Sequence, residues 1–206
     1  MADLTMLSFD LADQYRMPVM ILGDGILVQM MEPVEFSSQP IIHSLRHKKD
    51  CILDGCKGRK PRIIRSLILN EAELEKFNLK LQKRYNEIKD KEQRCEVLYG
   101  DDSEIMLVAY GTPSRICRSV VEKLHKSGRK IGMIRPITLW PFPERELKKL
   151  AKTVKSFLVV EMNCGQMIED VKLAIDCSRL VHFYGRTGGE IPLEDDIIKE
   201  IENING

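Results

Sequence analysis

Several short stretches of this sequence carry residue types that could do chemistry. Gly23-Asp24-Gly25 is the first. A Gly-Asp-Gly turn after a strand is how thiamine diphosphate enzymes place a carboxylate on diphosphate-bound magnesium. That motif also needs an asparagine further along as a second oxygen ligand, and there is no Asn between Gly25 and Asn70. A tight post-strand turn explains the glycines better, because glycine reaches backbone conformations that other residues avoid. Gly111-Thr112-Pro113-Ser114 stands where a nucleotide-binding domain puts its phosphate loop, but it lacks the three-glycine spacing.

Three further stretches follow apolar runs. Arg135 to Pro143 packs three prolines around Trp140, the only tryptophan, and reads either as a rigid structural plug or as a subunit-contact surface. Glu161-Met162-Asn163-Cys164-Gly165-Gln166 leads into a helix start where polar side chains and free backbone donors converge, and Asn163 there reads as a local cap or a ligand contact. Tyr184-Gly185-Arg186-Thr187-Gly188-Gly189 pairs close-approach glycines with Arg186, a grip for a phosphate or a partner carboxylate, or else a plain structural turn. Trp140, Asn163, Gln166 and Arg186 are therefore the interface or ligand-loop candidates. The six cysteines contain no Cys-x-x-Cys pair, so reduced thiols are expected and no cluster is assigned to this chain.

These stretches need elements to hold them. From Cys95 onward, apolar runs alternate with helical patterns. Strands are expected at Ile105 to Ala109, Lys130 to Ile134, Phe157 to Val160 and Leu180 to Phe183. Helices are expected from Thr112, as cap with Pro113 at the first position, to Gly128, from about Gln166 to Cys177, and from Pro192 through Ile201. Such alternation predicts a parallel sheet with right-handed crossovers and function in the loops after the strands. Upstream, Leu4, Leu7, Leu11 and Ala12 share a helical face, and Val19 to Leu22 reads as a central strand with no neighbours before it. Residues 37–69 read as a surface-wrapping linker. An amphipathic helix then starts at a capping box, Asn70 with Glu73, and carries a stripe of Leu74, Phe77, Leu81 and Ile88 expected to pack on the α/β domain.

Lysine plus arginine number 32 against 31 aspartate plus glutamate, which gives no electrostatic reason to expect nucleic acid or an anionic membrane as partner. The longest apolar stretch, Met17 to Met31, is interrupted by Asp24 and two glycines, and Asp3 stands where a signal peptide would be basic. A cytoplasmic protein is expected.

Phe9 to Val19, Asp24-Gly25, Gln29 to Val34, Gly58-Arg59-Lys60, Arg135 to Pro143, Glu161 to Gln166 and Gly185 to Gly189, in this order, resemble the alpha chain of 2-oxoacid:ferredoxin oxidoreductases, most of all the branched-chain (2-ketoisovalerate) type. The resemblance implies an α/β fold in which 1-36 are a C-terminal remnant of a pyrimidine-binding domain, 37-94 a linker with the amphipathic helix, and 95-206 a transketolase C-terminal-like parallel sheet domain. It implies an oxidative decarboxylation with coenzyme A that yields acyl-CoA, carbon dioxide and reduced ferredoxin. Thiamine diphosphate, magnesium and iron–sulfur clusters would belong to the complete complex, with a beta chain, a ferredoxin-like cluster chain, a gamma chain and ferredoxin as partners in an oligomer. The activating glutamate and the substrate loop of the family have no counterpart in these residues. The chain is thus expected to act as scaffold, with no catalytic residue, bound cofactor or metal of its own. A 2-oxoglutarate-type alpha chain and a stand-alone nucleotide- or CoA-binding module are the alternatives.

Overall fold

The computed structural model describes residues 1–35 and 55–205. The expected linker over 37–54 and Cys51 therefore lie outside the described residues. The chain forms two compact units, Met1–Leu22 with Met30–Glu87, and Gly23–Gln29 with Ile88–Gly206.

The first unit holds helix α1 (Ala2–Tyr15), with Tyr15 buried, and most of helix α3 (Glu71–Lys91). The capping box at the start of α3 forms on one side, the Glu73 N–H donating to Asn70 Oδ1 at 3.0 Å. The apolar stripe does not pack as expected. Leu74 and Phe77 stay 39% and 40% exposed, and Ile88 alone of the four is buried. Residues 18–24 form no strand: Met20 and Leu22 are exposed and the segment runs into a short helix, α2 (Gly25–Gln29).

The second unit is built on five strands: β1 (Cys95–Leu98), β2 (Ile105–Val108), β3 (Ile131–Pro136), β4 (Ser156–Glu161) and β5 (Leu180–Gly185). Their order is β1-β3-β2-β4-β5. The four expected strands pair in parallel, while β1 runs antiparallel to β3, Cys95 facing Pro136 and Leu98 facing Met133. The sheet is thus mixed rather than purely parallel. An antiparallel edge strand is a common addition to such sheets, and only the interior strands need be apolar throughout.

Each strand divides its side chains between two cores, as a period of two requires. Ile105, Leu107, Ile131, Met133, Leu158 and Val160 face helices α4 (Gly111–Lys126) and α7 (Glu194–Asn205). Met106, Val108, Ile134, Phe157 and Val159 face helices α5 (Glu144–Leu150) and α6 (Met167–Ala174). Helix α4 begins one residue before the expected cap. Tyr110 is its N-cap residue and Thr112 lies inside the first turn, so the capping group must come from elsewhere. Gly128, at φ 82°, closes the turn after α4 in the left-handed region that favours glycine. Among the described residues, no helix is long and apolar enough to cross a membrane.

Candidate functional site

The carboxyl ends of β2, β3, β4 and β5 share one edge of the sheet, and helices α4 and α6 start there. A helix start exposes unpaired N–H groups and a partial positive charge, which makes it a natural seat for an anion. Here a carboxylate of the chain itself takes each seat.

Asp24 fills the first. Its Oδ1 accepts the N–H groups of Ile26 (3.1 Å) and Leu27 (2.9 Å) at the start of α2, and the Thr112 hydroxyl at 2.9 Å. Its Oδ2 accepts the Thr112 N–H of α4 at 2.8 Å. Burial raises the acid's pKa, but the hydrogen bonds from Leu27, Thr112 and Ile26 outweigh it and hold the carboxyl below its ordinary value. The approach is tight. A Cβ on Gly111 would stand 2.7 Å from Asp24 Oδ2, and Gly111 has φ 61°.

Glu161 fills the second. It ends β4 and is 2% exposed. Its Oε2 accepts the Met167 N–H at 2.9 Å and the Gln166 N–H at 3.4 Å, and its Oε1 accepts the Ile168 N–H at 3.1 Å. Asn163 supports it, donating through Nδ2 to Glu161 Oε2 (2.9 Å) while its Oδ1 accepts the Gly165 N–H (2.7 Å). Between the two seats, burial, followed by the charges of Glu161, Asp170 and Asp24, pushes the Tyr110 phenol up. Burial and the Glu161 and Glu169 carboxylates likewise raise Asp170. The edge is acidic.

Three of the sequence candidates gather around Glu161. Asn163 is a capping and supporting group, and Gln166 is the N-cap residue of α6, with its side chain exposed. The Arg186 N–H donates to the Glu161 carbonyl at 3.1 Å, while its guanidinium pairs with Glu190 at 3.0 Å. Gly185 lets the β4 and β5 loops meet, since a Cβ there would stand 2.5 Å from the Asn163 carbonyl oxygen. Trp140 stands apart in the loop after β3, two places from β4 in the sheet, and is 54% exposed. Both acids stand in stretches that the sequence singles out, Gly23-Asp24-Gly25 and Glu161 to Gln166, but neither is expected from its motif to cap a helix. A carboxylate closing the apolar run Phe157 to Val160 was the available signal for Glu161, since a buried acid needs donors around it. For Asp24 the Gly-Asp-Gly turn marks the residue, but nothing local marks its second helix, whose Thr112 lies 88 residues away.

These residues do not fit a magnesium–diphosphate centre. Four donors occupy the two oxygens of Asp24. Among the described residues, no three His, Cys, Asp or Glu side chains are grouped to hold a metal ion.

The architecture is a mixed, mostly parallel α/β sheet covered by helices on both faces. Residues 103–197 match the description "pyruvate:ferredoxin oxidoreductase core domain II". In fold, 66% of the chain superposes with a TM-score of 0.55 and 19% identity on 24% of a chain of 2-oxoglutarate:ferredoxin oxidoreductase from Magnetococcus marinus. In sequence, the whole chain is 41% identical to the ketoisovalerate oxidoreductase subunit VorB of Methanothermobacter marburgensis, and 97% of it is 29% identical to the 2-oxoglutarate synthase subunit KorA of the same organism. The chain is thus similar to subunits of 2-oxoacid:ferredoxin oxidoreductases, more so to the ketoisovalerate than to the 2-oxoglutarate subunit. It spans 58% and 60% of the lengths of these two relatives.

Proposed function

We propose that this chain is a scaffold and assembly part of an enzyme that oxidatively decarboxylates a branched-chain 2-oxoacid with coenzyme A, giving acyl-CoA, carbon dioxide and reduced ferredoxin. The observation that carries this reading is 41% identity to a ketoisovalerate oxidoreductase subunit along the full length of the chain. In it, residues 1-36 close a pyrimidine-binding domain, 37-94 connect, and 95-206 form the sheet domain. Thiamine diphosphate and iron–sulfur clusters belong to the complete cytoplasmic complex of beta, gamma and ferredoxin-like chains. Trp140, half exposed on its proline-rich loop, is the favoured contact residue, and Arg186 and Gln166, on the separate edge near Glu161, are further candidates; Asn163 serves the local cap.

A stand-alone nucleotide- or CoA-binding module is the weaker reading. A phosphate at the start of α4 or α6 would meet the Asp24 or Glu161 carboxylate already there. The test is calorimetry with magnesium and thiamine diphosphate on the purified chain, followed by viologen reduction with 2-ketoisovalerate or 2-oxoglutarate plus CoA, alone and with the partner chains. Turnover only in the complex, with 2-ketoisovalerate preferred, is expected. Turnover by the chain alone would refute the scaffold role, and preference for 2-oxoglutarate would move the assignment to that type.

A further inference from the structure

We infer that Asp24 is a clasp, a positioning residue whose one carboxylate caps α2 and α4 together and so fixes residues 23–29 onto the sheet domain. A magnesium ligand in a Gly-Asp-Gly turn must turn at least one oxygen outward. Both oxygens of Asp24 instead point at donors, and the donors belong to helix starts far apart in the chain. Oδ1 serves Ile26, Leu27 and the Thr112 hydroxyl, while Oδ2 serves the Thr112 N–H. The receiving side is shaped for this contact. Gly111 has no Cβ where one would stand 2.7 Å from Oδ2, and Leu27 lies along the same glycine, its Cδ1 3.9 Å from that position. Residues 23–29 group with the sheet domain even though the residues on both sides of them in the chain do not.

The division of labour between the two oxygens gives the clasp a signature. Asp24→Asn keeps an acceptor for α2 but turns an amide nitrogen toward the Thr112 N–H, a donor facing a donor. Asp24→Ala removes both caps. Thr112→Val removes only the hydroxyl bond. Hydrogen exchange on the full chain reads the two regions separately. In Asp24→Ala, amides in 25–29 and in 111–115 should both exchange about five-fold faster or more, the size of a lost cap at each helix. In Asp24→Asn, 111–115 should loosen more than 25–29. Thr112→Val folds with the least disturbance and should give a smaller change at both places, which keeps the test open if Asp24→Ala fails to fold. Faster exchange confined to 25–29 in all three variants would overturn the clasp. So would saturable magnesium binding by the wild-type chain that Asp24→Asn abolishes.

Discussion

At the scale of single residues, carboxylates carry much of the organisation of this protein. Glu161 is the most committed of them, with three backbone N–H groups of one helix start and the Asn163 amide converging on it in a buried place. Glu161→Ala would leave the buried Met167 N–H without an acceptor, and a loss of about 1–3 kcal/mol is expected from urea unfolding. Glu96 works differently, held between two arginines across the β1 edge. The Arg118 hydrogen bond lowers its pKa first, burial opposes, and Arg135 at 2.9 Å adds to the lowering. A carboxyl lowered in the native state stabilises above its ordinary value of 4.5, and this contribution is lost as pH falls below that value. Stability measured between pH 6 and pH 3 should therefore fall less steeply in Glu96→Gln than in the wild type. Parallel curves would show that solvent screens the pair completely.

At the scale of elements, legibility followed burial. Strands β2 and β4 are buried at every position, so their apolar runs stood out in the sequence and their bounds fell within a residue or two of the expected ones. Strand β1 was not singled out because Cys95–Leu98 is a half-buried edge that includes Glu96 and pairs on one side only. Helix α5 was hidden for another reason. It has seven residues, five of them charged, and it follows Pro141 and Pro143, which read as loop. The stripe on α3 misled, since periodicity shows which residues share a face and not whether anything covers it. Phe157 tests the element that was read best. It is fully buried on the α5 and α6 side, and Phe157→Ala should cost about 3–5 kcal/mol in urea or thermal unfolding. A cost under about 1 kcal/mol would mean that the surrounding helices collapse into the space.

At the scale of the whole molecule, the resemblance to 2-oxoacid:ferredoxin oxidoreductase subunits was legible because several motifs stand in one order. The assignment of roles within those motifs was not, because glycines, prolines and a lone tryptophan look alike as scaffold or as contact. Trp140 is where the two separate. Its side chain is 54% exposed on a loop beyond β3, so Trp140→Ala should lower the thermal midpoint of the isolated chain little, while weakening its co-purification with partner chains at least ten-fold if it anchors an interface. Equal losses in both measurements would make it ordinary packing.

The reach of Asp24 has a consequence for how the chain is made. Thr112 follows it by 88 residues, so during synthesis the carboxylate is displayed well before its second set of donors has left the ribosome. The α2 half of the contact is local and can close at once, whereas the α4 half must wait and bear the entropy of closing a long loop. Such distant contacts tend to form after the folding barrier has been crossed. Loss of the Asp24 side chain should then quicken unfolding far more than it slows refolding, with a φ-value near zero.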